Sequence, residues 1–211
     1  MSVNDSDVDD KELHDKHACA EVIQAWGLYR DQGKWPELLA TFTPDGQIAV
    51  SWFSGSFREF VDRCTRSFNA GQRSKHHIFP SLVRVAGERA VAETNIVILV
   101  RQKIGDVLAD MTSYARFLDR LERASGRWAI VERAAIYERD RLDAVEPSEA
   151  FDRLFAATDL SIYPEPYRYM AARLTAAGRA LAPVIYSDGS PDTAQLYARY
   201  EAWLAHHTGP R

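Results

Sequence analysis

Four long extended-type segments follow one another between Ile78 and Asp140: IFPSLVRV, RAVAETNIVILVRQ, LADMTSYARFLDRLER and RWAIVERAAIYERD. They are rich in β-branched and aromatic residues, which suit a pleated, half-buried surface. Only AGE, IGD and ASG separate them, and short breaks of this kind containing glycine are hairpin signals. Consecutive strands joined this tightly must pair antiparallel, because a parallel crossover needs a dozen or more residues. An alternating α/β architecture is thereby excluded over this stretch. Pro80, inside the first segment, cannot donate to a ladder and so predicts an edge position or a bulge there.

The segments before the meander read as helix. From about Asp15, Cys19, Val22, Trp26 and Tyr29 recur at helical spacing, and Gly33 is a stop. WPELLATF predicts a short second helix with Pro36 in its first turn, TPDG a turn, and QIAVSW a short strand. SFREFVDRCTRSFNAG predicts a helix with Phe57, Phe60, Val61, Cys64 and Phe68 on one side. Helices followed by a run of antiparallel strands give an α+β fold, with the helices packed on one face of a curved sheet.

The main domain is expected over 14–145. Beyond it, SEAFDRLFAATDL, EPYRYMAARLTAAGRAL and PDTAQLYARYEAWLAHH return to helical patterning. This extension, 146–211, is too small to fold alone and should pack on the main domain or on a partner subunit. Tyr163, Tyr167 and Tyr169 would close the mouth of a pocket, meet a neighbouring subunit, or sit in a helix packed outside the sheet. Residues 1–13 are acidic and nearly without apolar side chains, so a disordered tail is expected.

The chain has 211 residues, 26 basic and 30 acidic, a balance that gives no electrostatic reason for a nucleic-acid or membrane partner. Its start lacks the basic and apolar stretches of a secretory leader. Two cysteines, Cys19 and Cys64, are too few for a disulfide framework, and isolated thiols fit a reducing cytoplasm. The six histidines show no metal-site spacing.

Three stretches resemble the SnoaL-like branch of the nuclear-transport-factor-2-like superfamily: YRDQGKWPELLATFTPDG, KHHIFPSLVRVAGERAVAE and FLDRLERASGRWAIVER. The resemblance covers about residues 15–143 and implies a cone, a strongly bent antiparallel or mixed sheet wrapped on N-terminal helices around an apolar pocket. Similar proteins include scytalone dehydratase, hexachlorocyclohexane dehydrochlorinase, polyketide cyclases and steroid isomerases. The implied activity is that of a lyase or isomerase acting on a small hydrophobic hydroxy- or keto-compound, and the resemblance implies that no metal and no organic cofactor is needed. The alternative is a ligand-binding module or an accessory subunit, since the fold does not settle function. A homodimer or homotrimer is the expected assembly.

Asp31 lies in the last turn before Gly33, where a carboxylate meets the negative end of the helix dipole. Its own context allows a solvated acid. The resemblance, four residues before Trp35, makes it the candidate catalytic acid. His76 and His77 are adjacent, and strand alternation does not choose between them. The family spacing, eleven residues before Gly87, selects His76 as the base. A neutral imidazole suits proton abstraction near pH 7, and a carboxylate on its other nitrogen would fix the tautomer. Tyr29, Trp52, Tyr114, Arg116 and Arg133 are candidate substrate contacts, with Trp26, Phe79 and Phe117 as further pocket aromatics. Scytalone dehydratase also uses a second histidine, absent from DVLADMTSYARF, and Arg30 replaces a tyrosine beside the acid. Both departures point to the simpler Asp–His base of the dehydrochlorinase type.

Overall fold

A computed structural model describes residues 5–206. Helix α1 (Asp5–Gln32) is followed by α2 (Trp35–Leu39), the strands β1 (Phe42–Val50) and β2 (Phe53–Ser56), and helix α3 (Phe57–Asn69). The meander then forms as β3 (Lys75–Ala86), β4 (Arg89–Ile104), β5 (Val107–Ala124) and β6 (Arg127–Ala144). Helices α4 (Glu149–Ala157) and α5 (Arg168–Ala176), strand β7 (Tyr186–Ser187) and helix α6 (Pro191–Ala205) complete the chain. The α+β class is the one the strand run required.

The sheet order is β2-β1-β6-β5-β4-β3, with β7 beside β6. The four meander strands pair antiparallel, whereas β1 pairs parallel with β6, making the sheet mixed. Two register shifts against β5 place unpaired extra residues in β6, and such bulges bend a strand and add twist. The concave face receives α1 and α3, and its core includes Trp26, Ile23, Phe60, Cys64, Ile96 and Phe117.

Local chemistry explains the helix ends. Gly33 has φ +70°, and the Lys34 N–H donates to the Tyr29 carbonyl at 3.0 Å, closing α1 with a left-handed residue. Ser56 caps α3, accepting from the Glu59 N–H at 3.3 Å. Pro80 satisfies both of its alternatives. Strand β3 is an edge strand, and its register against β4 slips between Ile78 and Ser81.

Several expectations need correction. The helix begins at Asp5, not near Asp15, so the expected disordered tail does not hold from that residue on; residues 1–4 lie outside the described residues. Ion pairs Lys11–Asp15 at 3.0 Å and Glu12–Lys16 at 2.6 Å support these turns. Asp15 is itself buried against Arg123 and accepts from Trp128 Nε1 at 3.2 Å. A helix already nucleated and anchored extends at little cost. The TPDG segment lies within β1, at a register shift between Phe42 and Gln47, rather than forming a free turn. Strands β2 and β7 were not foreseen, and α5 is shorter than its helical pattern.

The C-terminal elements sandwich the sheet. On the concave side, Met170 and Leu174 of α5 join the main core. On the convex side, Leu196 and Tyr200 of α6 pack on Val91, Leu118, Ala134 and Ile136. Arg116 fastens that side, reaching Glu93 at 2.8 Å, and Glu138 and Asp188 each at 2.7 Å.

Helix α1 crosses β3 at Gly27, where an added Cβ would lie 2.6 Å from Ile78 Cγ1. Gly27→Ala should therefore lower stability, although alanine improves helix propensity by about 1 kcal/mol. Overpacking of this kind costs about 1–3 kcal/mol. Urea unfolding would read the difference, and a stabilised variant would contradict the close approach.

Candidate functional site

Asp31 stands in the last turn of α1 and His76 near the start of β3, 45 residues apart and in contact. His76 Nδ1 lies 2.6 Å from Asp31 Oδ1, and the His76 backbone N–H donates to Asp31 Oδ2 at 2.8 Å. An ionised carboxylate can only accept, so Nδ1 carries the ring proton and Nε2 is left with its lone pair. The Trp26 ring meets the imidazole edge-on at 5.4 Å, and the side chains of the pair are 5% and 9% exposed.

Burial and pairing set the protonation states. Burial pushes the Asp31 carboxyl up, but the His76 hydrogen bonds and the Lys75 ammonium outweigh it and hold it below its ordinary value. For His76 burial wins: it pushes the imidazole below its ordinary 6.5 despite the Asp31 carboxylate, and Arg30 and Arg133 push the same way. The arrangement is a carboxylate holding a neutral imidazole at pH 7.

The bulge in β3 explains why alternation alone could not choose between the histidines. Ile78 pairs with Ile96 and Ser81 with Thr94, so β3 uses three residues where β4 uses two. Val83 and Val85 pack on the core with the parity of His77, and the extra residue shifts His76 and Ile78 to that same face. His77 is exposed.

His76 lines a cavity of about 670 Å³ on the concave side. Its inner wall includes Trp26, Phe60, Ile98, Met111 and Phe117, and its outer wall includes Gln72, Arg73, Arg101 and Lys103. That volume falls in the range of small-molecule sites. Trp52 also lines it, from the turn between β1 and β2. Phe79 does not, being 45% exposed within the bulge.

The other candidate contacts stand elsewhere. Tyr29 sits under Lys34 Nζ, 5.9 Å from its ring centroid, and Tyr114 under the Arg139 guanidinium at 4.7 Å; neither lines the cavity. Arg116 is in the ion cluster on the convex face, because alternation along β5 turns it away from Phe117. Arg133 is on the concave side but fully buried. Its Nε and Nη2 donate to the Asp119 oxygens at 2.7 Å each, and its guanidinium stacks 4.0 Å from the Phe117 ring and 4.6 Å from Trp26. It forms the layer behind the lining residues rather than part of the lining.

Tyr137 and two arginines of the C-terminal segment are lining residues that the sequence did not single out. Tyr137 shares the concave parity of Arg133 and Ala135, a signal present in the strand pattern. Its oxygen accepts the Ser51 N–H at 3.0 Å, leaving its own proton to donate. Arg173 and Arg179 follow the meander in a segment with no strand periodicity, and only their proximity in space joins them to the site.

The fold and the sequence have counterparts among known proteins. The chain is 27% identical over 158 residues to pea pathogenicity protein 2 of Fusarium vanettenii, covering 72% of this chain and 65% of that protein. A PEP2-like protein of the same fungus is 26% identical over the same length and coverage. The chain thus spans a little under two thirds of the length of these curated relatives. Among solved structures, a type 2 hexachlorocyclohexane dehydrochlorinase superposes with a TM-score of 0.55 at 12% identity, covering 66% of this chain and 95% of that one. A candidate scytalone dehydratase from Novosphingobium aromaticivorans gives 0.53 at 16% identity, covering 66% and 93%. These likenesses show the nuclear-transport-factor-2-like cone. Residues 11–134, more than half of the chain, match the model of the SnoaL-like domain, and the protein belongs to that family.

Proposed function

We propose that the protein is a cofactor-independent lyase or isomerase that removes a carbon-bound proton from a small hydrophobic hydroxy- or keto-compound. The observation that carries this reading is the Asp31–His76 contact at the wall of a half-open cavity, with the imidazole kept neutral. Nε2 of His76 takes the proton, and Asp31 holds the ring and stabilises the imidazolium as it forms. Tyr137 can donate its O–H to the oxygen on which negative charge develops. Trp26, Phe117 and Met111 exclude water around the reacting carbon.

Where removal of the acidic carbon-bound proton is reversible, it exchanges that hydrogen with solvent. A panel of hydrophobic ketones and β-hydroxy ketones, incubated with the protein in deuterium oxide, should show deuterium incorporation by mass spectrometry. The rate should persist down to pH 6.5 and fall below it, because His76 must be unprotonated and its folded-state value lies under 6.5. Ligands that bind in the cavity without any exchange would favour the ligand-binding module instead.

A further inference from the structure

The chain carries net charge −4, yet six of the cavity-lining residues are basic and, among the described residues, none is acidic: Arg30, Arg73, Arg101, Lys103, Arg173 and Arg179. Arg101 is neutralised by Asp110 at 2.6 Å. The other five form no ion pair among the described residues. An acidic protein that gathers cations around one opening and keeps carboxylates from it creates a local field opposite in sign to its whole.

Arg173 and Arg179 are the most informative. Arg173, on α5, gives one nitrogen to Gln102 Oε1 at 2.9 Å, while its Nε is buried with no partner. Burial, together with the neighbouring Arg179, pulls this guanidinium down to about 10. A charge held at such cost is destabilising unless something of opposite sign arrives. Arg179 stacks 4.7 Å from the Trp52 ring centroid, a geometry that orients the fork while leaving its hydrogen-bonding edge open. A shallower basin of about 360 Å³, lined by Arg63, Arg66 and Arg179 with Trp52, adjoins the same opening. Both arginines lie beyond residues 11–134, the segment that matches the family.

We propose that the cavity binds an organic anion, a carboxylate or phosphate monoester on an aromatic or apolar body, with its oxyanion held by Arg173 and Arg179 and its apolar body directed toward His76. This rests on the reading of the cavity as the substrate site and names the charged group of that substrate. Paired guanidinium forks match the planar or tetrahedral oxygens of such a group. The aromatic inner wall accepts the body, and binding relieves the mutual repulsion of the two arginines.

Isothermal titration of the full chain with 2-naphthoate, 2-naphthyl phosphate and neutral 2-naphthamide tests this. At least one anion should bind about tenfold or more tightly than the amide, the fold-change of one charge-assisted contact. The tighter of the two anions identifies the oxyanion. The preference should shrink with added salt and disappear in Arg173→Gln and Arg179→Gln. Arg173→Gln should also unfold at an equal or higher temperature than the parent, because it removes a partly buried cation with no ion-pair partner among the described residues. Should that variant fail to fold, the half-buried Arg179→Gln carries the same comparison. His76→Ala should retain the preference, so that failure of the proton-transfer reading and failure of anion binding are read separately. Binding of neither anion more tightly than the amide, or a preference unchanged in both arginine variants, would overturn the proposal.

Discussion

Asp119→Ala is expected to destabilise the protein by about 3–5 kcal/mol, the cost of leaving one partner of a buried ion pair uncompensated. Asp119 and Arg133 face each other across β5 and β6, and both side chains are 0% exposed. Removing the carboxylate strands the guanidinium between Trp26 and Phe117, where water cannot reach it. At roughly 2–4 °C per kcal/mol for a chain of this size, thermal unfolding resolves the loss easily. The double variant Asp119→Leu with Arg133→Met should recover most of it, since apolar replacement of a whole buried pair is often neutral or better. A single variant within about 1 kcal/mol of the parent would mean that the pair is hydrated or rearranges. The loss would reach the site as well, because Trp26 contacts both the Arg133 guanidinium and the His76 ring.

The second large effect concerns the dyad. His76→Ala should slow deuterium exchange, and turnover once a substrate is in hand, by about 10²–10⁴-fold, the contribution of a positioned general base. Asp31→Asn should cause a loss of similar order, for a different reason. An asparagine can accept one of the two hydrogen bonds from His76 but supplies no charge, so the ring loses both its fixed tautomer and the stabilisation of its protonated form. Circular dichroism and thermal unfolding should show both variants folded. Undiminished exchange in either variant with an accepted compound would remove the catalytic assignment.

Strand alternation and tight glycine turns made the meander legible, because each sheet residue reports its own face. The helix stripe from Cys19 to Tyr29 was equally readable, as was the stop at Gly33. The sequence pattern failed wherever an extra residue interrupts the alternation. The bulge at Pro80 exchanged the apparent faces of His76 and His77, and only the family spacing named the residue that meets Asp31. The parallel pairing of β1 with β6 leaves no local trace, since partners such as Phe42 and Ile130 lie far apart in the chain. The start of α1 escaped for another reason: residues 10–14 are exposed, the sequence there has no apolar stripe, and the segment rests on charge pairs and a single buried aspartate. Arg173 and Arg179 lie in segments whose local pattern is ordinary. What makes them notable is the company they keep in space.

That parallel β1–β6 pairing also dictates an order of assembly. The helices at the start of the chain can form as soon as they emerge from the ribosome, but β1 cannot join the sheet until a strand synthesised some eighty residues later appears. Arg173 and Arg179, at the opening of the cavity, arrive later still. At about 5–20 residues per second, the apolar faces of α1 and α3 remain uncovered for several seconds on every nascent chain. A fold closed by such distant pairings forms slowly, and the interval before β6 appears is when this protein is most exposed to aggregation.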